Sequence, residues 1–141
     1  MRVSDAMTRD VRVCSPSERL RDCAAAMMHN DIGALPVAEV NRLVGMVTDR
    51  DITIRAIATG KGPDTPVREV FSRDVLYCFE DQELAHVAKS MGLAKIRRLP
   101  VLSRDRRLVG MLSLADVARH DAETASAAVA HISRRGGDHS Q

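Results

Sequence analysis

The stretch that decides the fold is Leu43–Asp51, which reads LVGMVTDRD, because the chain states it again as LVGMLSLAD at Leu108–Asp116. In both copies an apolar run ends on a hydroxyl residue, and an aspartate follows three positions later. Upstream of each copy stands the tripeptide Leu-Pro-Val, at Leu35–Val37 and again at Leu99–Val101. Two matching blocks in the same order indicate an internal duplication rather than a chance motif.

The duplication extends further towards the N-terminus. Val3–Val11 (VSDAMTRDV) returns as Val67–Val75 (VREVFSRDV), with an offset of 64 residues that becomes 65 by the Gly-Met pair. A unit of this length predicts two pseudo-symmetric halves packed on each other, with ligands in the clefts between them.

Composition places the chain among soluble globular domains. It has 141 residues, 45% of them hydrophobic, and only 2% aromatic, so aliphatic side chains must build the core. The net charge of +2 is too small to indicate nucleic-acid binding. No apolar run approaches the roughly 20 residues of a membrane span, and no apolar secretory segment follows Met1. Three cysteines, without a C-x-x-C pair, fit a reducing cytoplasm.

The first copy reads as strand, helix, strand, strand, helix. Asp10–Cys14 alternates like a half-buried strand, and Ser15–Glu18 offers a capping box with proline at the first helical position. Ala34–Ala38 and Leu43–Thr48 predict an antiparallel hairpin, and a second helix should follow Thr48. The apolar face of the first helix is predicted to comprise Leu20, Cys23, Ala24, Met27 and Met28.

The second copy follows the same order. Val75–Phe79 predicts its first strand, Asp81 the helix cap, and Leu99–Leu102 with Leu108–Ser113 the hairpin. We therefore divide the chain into a first repeat at 1–58, a linker at 59–66, a second repeat at 67–120, and a C-terminal helix and tail at 121–141. The predicted helical faces are Leu84, Val87, Ala88 and Met91 in the repeat, and Ala125, Ala128, Val129 and Ile132 in the C-terminal helix.

The candidate chemistry lies in Thr48 with Asp51, and in Ser113 with Asp116. A hydroxyl and the first N–H groups of a helix can donate to a phosphate, while the aspartate can accept from two vicinal ribose hydroxyls. Such a pair suits a nucleotide better than a bare phosphate. Taken alone, each pair is better explained by ordinary helix capping, and it is the duplication together with the surrounding pattern that favours a ligand site.

The pattern Leu-Pro-Val, a turn, then Leu-Val-Gly-Met-Val-Thr-x-x-Asp resembles the CBS domain, named from cystathionine β-synthase. The resemblance covers residues 3–120 in two copies, as in stand-alone bacterial CBS pairs or Bateman modules. It implies an α/β (α+β) fold, with two pseudo-symmetric β-α-β-β-α repeats packed sheet to sheet. It also implies two clefts for adenine nucleotides or related adenosyl compounds.

Residue by residue, the resemblance implies that Thr48, Asp51, Ser113 and Asp116 contact phosphate and ribose. Adenine would lie against the first strand of each repeat. The strand residues concerned are Val13, Cys14, Tyr77 and Cys78.

The two copies differ beside this motif. Arg97 and Arg98 stand where the first copy has Gly33 and Ala34, and basic residues there often reach phosphate in family members. Arg50 could substitute in the first copy. The two clefts should therefore be inequivalent, unless Arg97 and Arg98 simply belong to a solvated turn.

We expect a cytoplasmic regulatory module without catalytic activity, metal or required cofactor, whose ligand is AMP, ADP, ATP, NAD or S-adenosylmethionine. It should form a homodimer, act on a separate regulated protein, and bind neither membrane nor nucleic acid. Two alternatives remain open. One is an interaction scaffold without ligand, and the other is a thiol redox sensor that uses Cys14 and Cys78.

Overall fold

The computed structural model describes Met1–Ser133, and this part of the chain divides into two compact units. We call Arg12–Val75 the first-repeat unit. The second-repeat unit joins Met1–Val11 to the chain from Leu76 onward. Each unit thus takes in the short N-terminal segment of the other copy, Met1–Val11 in one case and Val67–Val75 in the other. The predicted tail from Arg134 to Gln141 lies outside the described residues.

The first-repeat unit is built on the predicted hairpin. Strand β1 (Ala34–Glu39) pairs antiparallel with strand β2 (Arg42–Thr48), and Ala34 faces Thr48 at the open end. At the closed end Val40 and Asn41 both have positive φ, 49° and 63°, as in the tight turns that match strand twist. The elements before the linker are α1 (Val3–Ala6), which belongs to the other unit, α2 (Leu20–Asn30), β1 (Ala34–Glu39) and β2 (Arg42–Thr48).

The helix predicted after Thr48 is present but irregular. It starts as α3 (Asp49–Asp51), continues as a π-turn over Ile52–Ala56, and ends as a 3₁₀ turn at Ile57–Thr59. Ala56 is fully buried, while Ile57 is 60% exposed. The widened turn therefore directs the small Ala56 side chain into the core together with the half-buried Ile52, and leaves Ile54 exposed as well.

The second-repeat unit holds the second sheet, in which β3 (Cys78–Phe79), β4 (Arg98–Leu102) and β5 (Leu108–Ser113) lie in this order. Its hairpin is the predicted one, with Arg98 opposite Ser113. The C-terminal helix is also confirmed, although Val129 of its predicted face is 38% exposed. It packs against the helix that contains Gly92, where a built Cβ would lie 2.9 Å from the Ala128 Cα. The elements are β3 (Cys78–Phe79), α4 (Leu84–Ala94), β4 (Arg98–Leu102), β5 (Leu108–Ser113), α5 (Leu114–His120) and α6 (Ala122–Ile132).

The predicted starts of the first helix in each repeat are wrong. Ser15–Glu18 forms a turn, and α2 begins four residues later, at Leu20. The N–H of Leu20 donates to the Thr65 carbonyl at 2.9 Å, so the linker backbone replaces the expected serine cap. In the second repeat the Leu84 N–H donates to the Met1 carbonyl at 2.8 Å. A distant segment thus satisfies each helix start, which local sequence cannot reveal.

Asp81, the predicted cap of the second repeat, forms a surface ion pair with Arg104 at 2.9 Å instead. The guanidinium hydrogen bond lowers the pKa of this carboxyl. Part of the predicted α2 face is wrong as well, because Ala24 is exposed and Met28 is 71% exposed. Ala26 is the buried neighbour in their place.

The first strand of each repeat is shorter than predicted. Asp10–Cys14 contributes one parallel bridge, from Cys14 to Val37, and Val75–Phe79 contributes only β3. Most of the strand residues in each sheet therefore belong to the hairpin. The predicted mixed helix and strand class is confirmed. The sheet-to-sheet packing of the repeats and the repeat boundaries stay predictions. No helix within Met1–Ser133 combines the length and the apolar character that crossing a bilayer requires.

Candidate functional site

Thr48 and Asp51 form a closed capping box at the end of β2. The Thr48 hydroxyl accepts from the Asp51 N–H at 3.0 Å, and Asp51 Oδ2 accepts from the Thr48 N–H, also at 3.0 Å. Capping is therefore part of what these residues do.

Ser113 and Asp116 repeat this geometry at the end of β5. The two hydrogen bonds are 3.1 Å and 2.9 Å long. In both boxes the hydroxyl oxygen is the acceptor, so its hydrogen stays free to be donated. Among residues 1–133 neither hydroxyl has an acceptor for that hydrogen. Each aspartate uses Oδ2 in the box and turns Oδ1 to other partners.

The two carboxylates differ in their surroundings. The Asp51 side chain is 13% exposed, and Arg55 Nε lies 3.6 Å from its Oδ1. The Asp116 side chain is 5% exposed, and its Oδ1 accepts from Arg119 and, at 3.4 Å, from the Thr8 hydroxyl. The second carboxylate is therefore more deeply set and more fully bonded.

Thr8 is a site residue that sequence reasoning missed. Its backbone pairs with Met111 through two hydrogen bonds of 2.9 Å, which brings its hydroxyl to Asp116. In the first-repeat unit Ser72 pairs with Met46 in the same way, also at 2.9 Å. The signal was available, because Thr8 and Ser72 are hydroxyl residues that correspond in the two copies.

The glycine of each Gly-Met pair allows a separate segment of backbone, which contains Ser72 in one unit and Thr8 in the other, to pack closely on the hairpin. A Cβ on Gly45 would lie 2.2 Å from the Ser72 carbonyl oxygen, and one on Gly110 would lie 2.6 Å from that of Thr8. Neither position can hold a side chain unless the backbone moves. The glycine of the motif is therefore needed for close backbone packing. The hydroxyl residue and the aspartate of the motif are the groups that can bind a ligand.

Arg97 and Arg98 occupy the predicted equivalents of Gly33 and Ala34. The Arg97 carbonyl accepts from the Leu114 N–H at 3.0 Å. In the first copy the Gly33 carbonyl accepts from the Asp49 N–H in the same way, at 2.9 Å. Arg98 lies opposite Ser113 in the sheet register. Neither guanidinium forms an ion pair or hydrogen bond with any described residue. Arg97 is exposed and Arg98 half-buried.

In the first copy an acidic residue, Asp49, stands where the second copy has Leu114. The Asp49 N–H donates to Gly33, and Asp49 Oδ1 accepts the Arg50 N–H at 2.8 Å. With Asp51 N–H on Thr48, the first three N–H groups of α3 are already used. The predicted phosphate site on free helix N–H groups is thus not available there without rearrangement. The Arg50 side chain is exposed.

The first-strand residues lie at the sheets as expected. Cys14 uses its backbone fully, since its N–H donates to Pro36 and its carbonyl accepts from Ala38, each at 2.9 Å. Val13, beside it, is half-buried. In the other unit Cys78 pairs with Val101 in parallel register.

Tyr77 is held from the side. Its hydroxyl accepts from Arg106 at 3.0 Å, and its ring meets the Phe79 ring edge to face at 5.6 Å. The ring is still 39% exposed. Burial raises the pKa of the neighbouring Cys78 thiol to about 12, which makes that thiol a poor nucleophile.

The thiol that Cys14 contacts belongs to Cys23, a partner that sequence reasoning missed. Their sulfur atoms are 3.0 Å apart. With Glu18 they form a group of metal-ligating atoms within 4.8 Å of one another, and no other such group occurs among residues 1–133. Cys14 therefore has a thiol neighbour, Cys23, that the hypothesis of a sensor using Cys14 and Cys78 did not include.

The sequence matches the CBS domain over residues 3–56 and 67–123. The CBS domain-containing protein YhcV of Bacillus subtilis is 36% identical over 135 residues, which cover 94% of this chain and 96% of YhcV. Hypoxic response protein 1 of Mycobacterium tuberculosis is 38% identical over 118 residues, 82% of each chain.

Solved structures agree with these relatives. Hypoxic response protein I, crystallised with two coordinated zinc ions, has a TM-score of 0.76 at 35% identity and covers 85% of this chain and 98% of its own. CBSX2 in complex with AMP has a TM-score of 0.76 at 27% identity, with 86% and 96% coverage. The CBS pair of protein MJ0100, solved with 5′-methylthioadenosine and S-adenosyl-L-methionine, has 0.74 at 26% identity, with 87% and 97% coverage.

Proposed function

Because this chain belongs to the CBS-domain family and carries two copies of the domain, we propose that it is a regulatory module that binds an adenosine-containing nucleotide. The observation that carries this proposal is the pair of matching boxes, Thr48 with Asp51 and Ser113 with Asp116. Each keeps a donor hydrogen and a carboxylate oxygen free of the box itself.

Ribose recognition falls to the carboxylates. Asp116 Oδ1 faces the Thr8 hydroxyl at 3.4 Å, a long bond that a vicinal diol could replace with shorter ones. A hydroxyl that donates to a carboxylate gives a charge-assisted hydrogen bond, about twice as strong as a neutral one. Asp51 offers the same oxygen, with only Arg55 at 3.6 Å beside it.

Phosphate recognition falls to the second copy first. Ser113 has a hydroxyl hydrogen to donate, and Arg98 lies directly opposite it in the sheet. Arg97 adds a second guanidinium without a partner among the described residues. An arginine can bind phosphate through two parallel N–H bonds, which fixes its orientation as well as its charge. In the first copy Arg50 is the candidate cation.

The ligands named for CBSX2 and for the MJ0100 pair share an adenosine group and differ in what is attached to it. We therefore propose AMP, ADP, ATP, NAD and S-adenosylmethionine as candidates, with adenine against Val13 and Cys14 or against Tyr77 and Cys78. The module would have no catalytic step of its own. It would pass its ligand state to a separate protein, with a homodimer as the working form.

A thermal-shift series tests this function. Protein freed of bound ligand should gain stability with at least one of the five candidates. A ligand at about a hundred times its dissociation constant adds about 2.7 kcal/mol. Ser113→Ala should reduce the shift, because it removes a phosphate donor. Ser126→Ala, an exposed serine on α6 of the same unit, is the matched control and should keep the full shift.

Two results would refute the proposal. No shift with any candidate would leave the scaffold without ligand as the better account. A shift that Ser113→Ala, Asp116→Ala and Asp51→Ala all leave unchanged would show that these residues only cap their helices.

A further inference from the structure

Two thiols face each other in the core of the first-repeat unit. Cys14, at the edge of the sheet, and Cys23, on α2, both have no exposed surface. Their sulfur atoms are 3.0 Å apart, closer than unbonded sulfurs normally pack. In a disulfide they would be about 2.05 Å apart, so closing the bond requires a movement of about 1 Å.

A charged pair lies beside these thiols. The Arg12 guanidinium holds the Glu18 carboxylate at 2.8 Å and 3.2 Å, and Glu18 Oε2 is 4.0 Å from the Cys23 sulfur. The thiols are thus buried against aliphatic side chains on one side and against an ion pair on the other.

We propose that Cys14 and Cys23 are an oxidation site, at which a peroxide closes an intramolecular disulfide. The proposal does not depend on nucleotide binding. It differs from a Cys14–Cys78 sensor, because the partner thiol is Cys23.

The chemistry needs one equivalent of hydrogen peroxide. The Cys14 thiolate attacks one peroxide oxygen, the O–O bond breaks, and the leaving hydroxide takes a proton to become water. Cys23 then attacks the sulfur of the resulting sulfenic acid, and a second water leaves with the Cys23 proton. In total, two thiols and one peroxide give one disulfide and two waters.

The surroundings assign the two roles. The hydrogen bond between the two thiols lowers the pKa of Cys14, with a further contribution from the Arg12 charge, while the Glu18 carboxylate 4.0 Å from the Cys23 sulfur disfavours a thiolate at Cys23, so Cys14 is the thiol that reacts first. The pKa of Cys23 is raised, first by its bond to Cys14 and then by burial, so it keeps its proton and acts as the resolving thiol.

The route for a small oxidant leads past the ion pair. A surface cleft of about 520 Å³ is lined by Arg12, Glu18 and His29, among others. Glu18, a quarter exposed, is the side chain that separates this cleft from the Cys23 sulfur. Opening the Arg12–Glu18 pair would admit a molecule as small as peroxide without unfolding the unit.

The same geometry disfavours a metal ion. Structural zinc is normally held by four protein ligands, whereas the described residues place only three candidate ligands here, Cys14, Cys23 and Glu18. The third potential ligand, Glu18, has both oxygens bound to Arg12, whose charge would repel a cation.

The duplication provides an internal control. Cys78 corresponds to Cys14 in the second repeat, and Val87 corresponds to Cys23. Cys78 therefore has a buried environment but no thiol partner on the equivalent helix. The variant Cys23→Val copies the second repeat's own solution, so it should keep the fold.

The test treats reduced, folded protein with a small excess of hydrogen peroxide and counts free thiols after denaturation. The natural chain should fall from three thiols to one, and intact mass should drop by about 2 Da. Peptide mapping should place the bond between residues 14 and 23, and a thiol reductant should reverse it. Cys78→Ser should fall from two thiols to none. Cys23→Val should form no intramolecular disulfide.

Three results would overturn the proposal. The first is a thiol count that stays at three in folded protein. The second is a bond that maps to Cys78 or joins two chains. The third is stoichiometric zinc that protects the thiols and is lost in Cys23→Val. Mapping on the natural chain keeps the test valid even if a variant folds poorly.

Discussion

The two repeats share a backbone and differ in charge. At the box residue, φ and ψ are −118° and 163° for Thr48, and −117° and 161° for Ser113. The same two hydrogen bonds close both capping boxes. In both units a separate segment pairs with the second strand of the hairpin, through Ser72 in the first and Thr8 in the second. The repeat therefore preserves a frame, and the side chains around that frame are where the copies diverge.

The divergence is a paired exchange next to the box. The first copy has Gly33 with Asp49, and the second has Arg97 with Leu114. A Cβ on Gly33 would lie 2.8 Å from Asp49 Oδ2, so the acid occupies space that a side chain at position 33 would need. Replacing the acid with leucine removes that crowding and leaves room for arginine. With the same backbone conformation, the first copy therefore has an acidic side chain, Asp49, beside its box, and the second copy has a basic one, Arg97.

The first helix of each repeat shows a second difference. Met28 on α2 is 71% exposed, whereas its counterpart Gly92 on α4 is buried beneath α6. Only the second-repeat unit has such a cover among the described residues. Glycine there allows the α6 backbone to approach closely, with a built Cβ only 2.9 Å from the Ala128 Cα.

The largest effect we predict distinguishes the two glycines of the motif. Gly45→Ala should cost more than about 3 kcal/mol of unfolding free energy, because its Cβ would meet both a backbone oxygen and, at 2.4 Å, the Phe71 ring. Gly110→Ala should cost less, about 2 kcal/mol, because a flexible Met7 side chain shares the contact. Urea unfolding followed by circular dichroism measures both.

Gly62→Ala is the control for this comparison. A Cβ there meets nothing within 4 Å, so the variant should stay within about 0.5 kcal/mol of the parent. Equal stability of Gly45→Ala and Gly62→Ala would mean that the Ser72 segment does not pack on β2 as described.

Sequence was sufficient for the hairpins, because their signals are local. Apolar runs of four to six residues lie on either side of Val40-Asn41 in one copy and of the turn at 103–107 in the other, and both pairs of runs form the predicted hairpins. It failed at the helix starts, because Leu20 and Leu84 are capped by carbonyls at Thr65 and Met1. A capping signature cannot show that a distant strand of backbone has taken its place.

The residues of the candidate site also divide into those that local sequence could predict and those that it could not. The four box residues were predictable because hydroxyl and acid are three positions apart in one segment. Thr8 was not, since it reaches Asp116 from the other end of the chain. Cys23 was overlooked beside Cys14 because it was counted only as a core position on its helix. Contacts within a segment were predictable, and contacts between segments required the fold.

The next effect compares the two aspartates. Asp116→Ala should cost about 2 kcal/mol of unfolding free energy, because it leaves the Ser113 N–H unpaired and removes a nearly buried acceptor from Thr8 and Arg119. Asp51→Ala should cost about 1 kcal/mol, since that carboxylate is more exposed and its second partner is 3.6 Å away.

Asp22→Ala is the matched control, because its ion pair with Arg19 is exposed on both sides and such pairs contribute little. Thermal and urea unfolding should rank the three variants in this order. A larger loss for Asp51→Ala than for Asp116→Ala would contradict the view that the second box is the more deeply set.

The smallest effect concerns the arginines and should appear in binding rather than in stability. Arg97→Gly with Arg98→Ala gives the second copy the first copy's residues. If these guanidiniums contact phosphate, the double variant should lose at least about tenfold of its preference for AMP over adenosine, which is about 1.4 kcal/mol. The salt dependence of binding should fall as well, because a charged contact is gone.

Calorimetry at two salt concentrations decides this, with Arg68→Ala and Lys89→Ala together as the control that removes the same charge from other exposed positions. That control should keep the phosphate preference, since long-range charge alone is screened within about 10 Å at 0.1 M salt. If the double arginine variant keeps its preference too, Arg97 and Arg98 point into solvent. The exchange of Gly33 and Asp49 for Arg97 and Leu114 would then be a matter of packing, and the two capping boxes would owe any difference in ligand to Thr8 and to the lower exposure of Asp116.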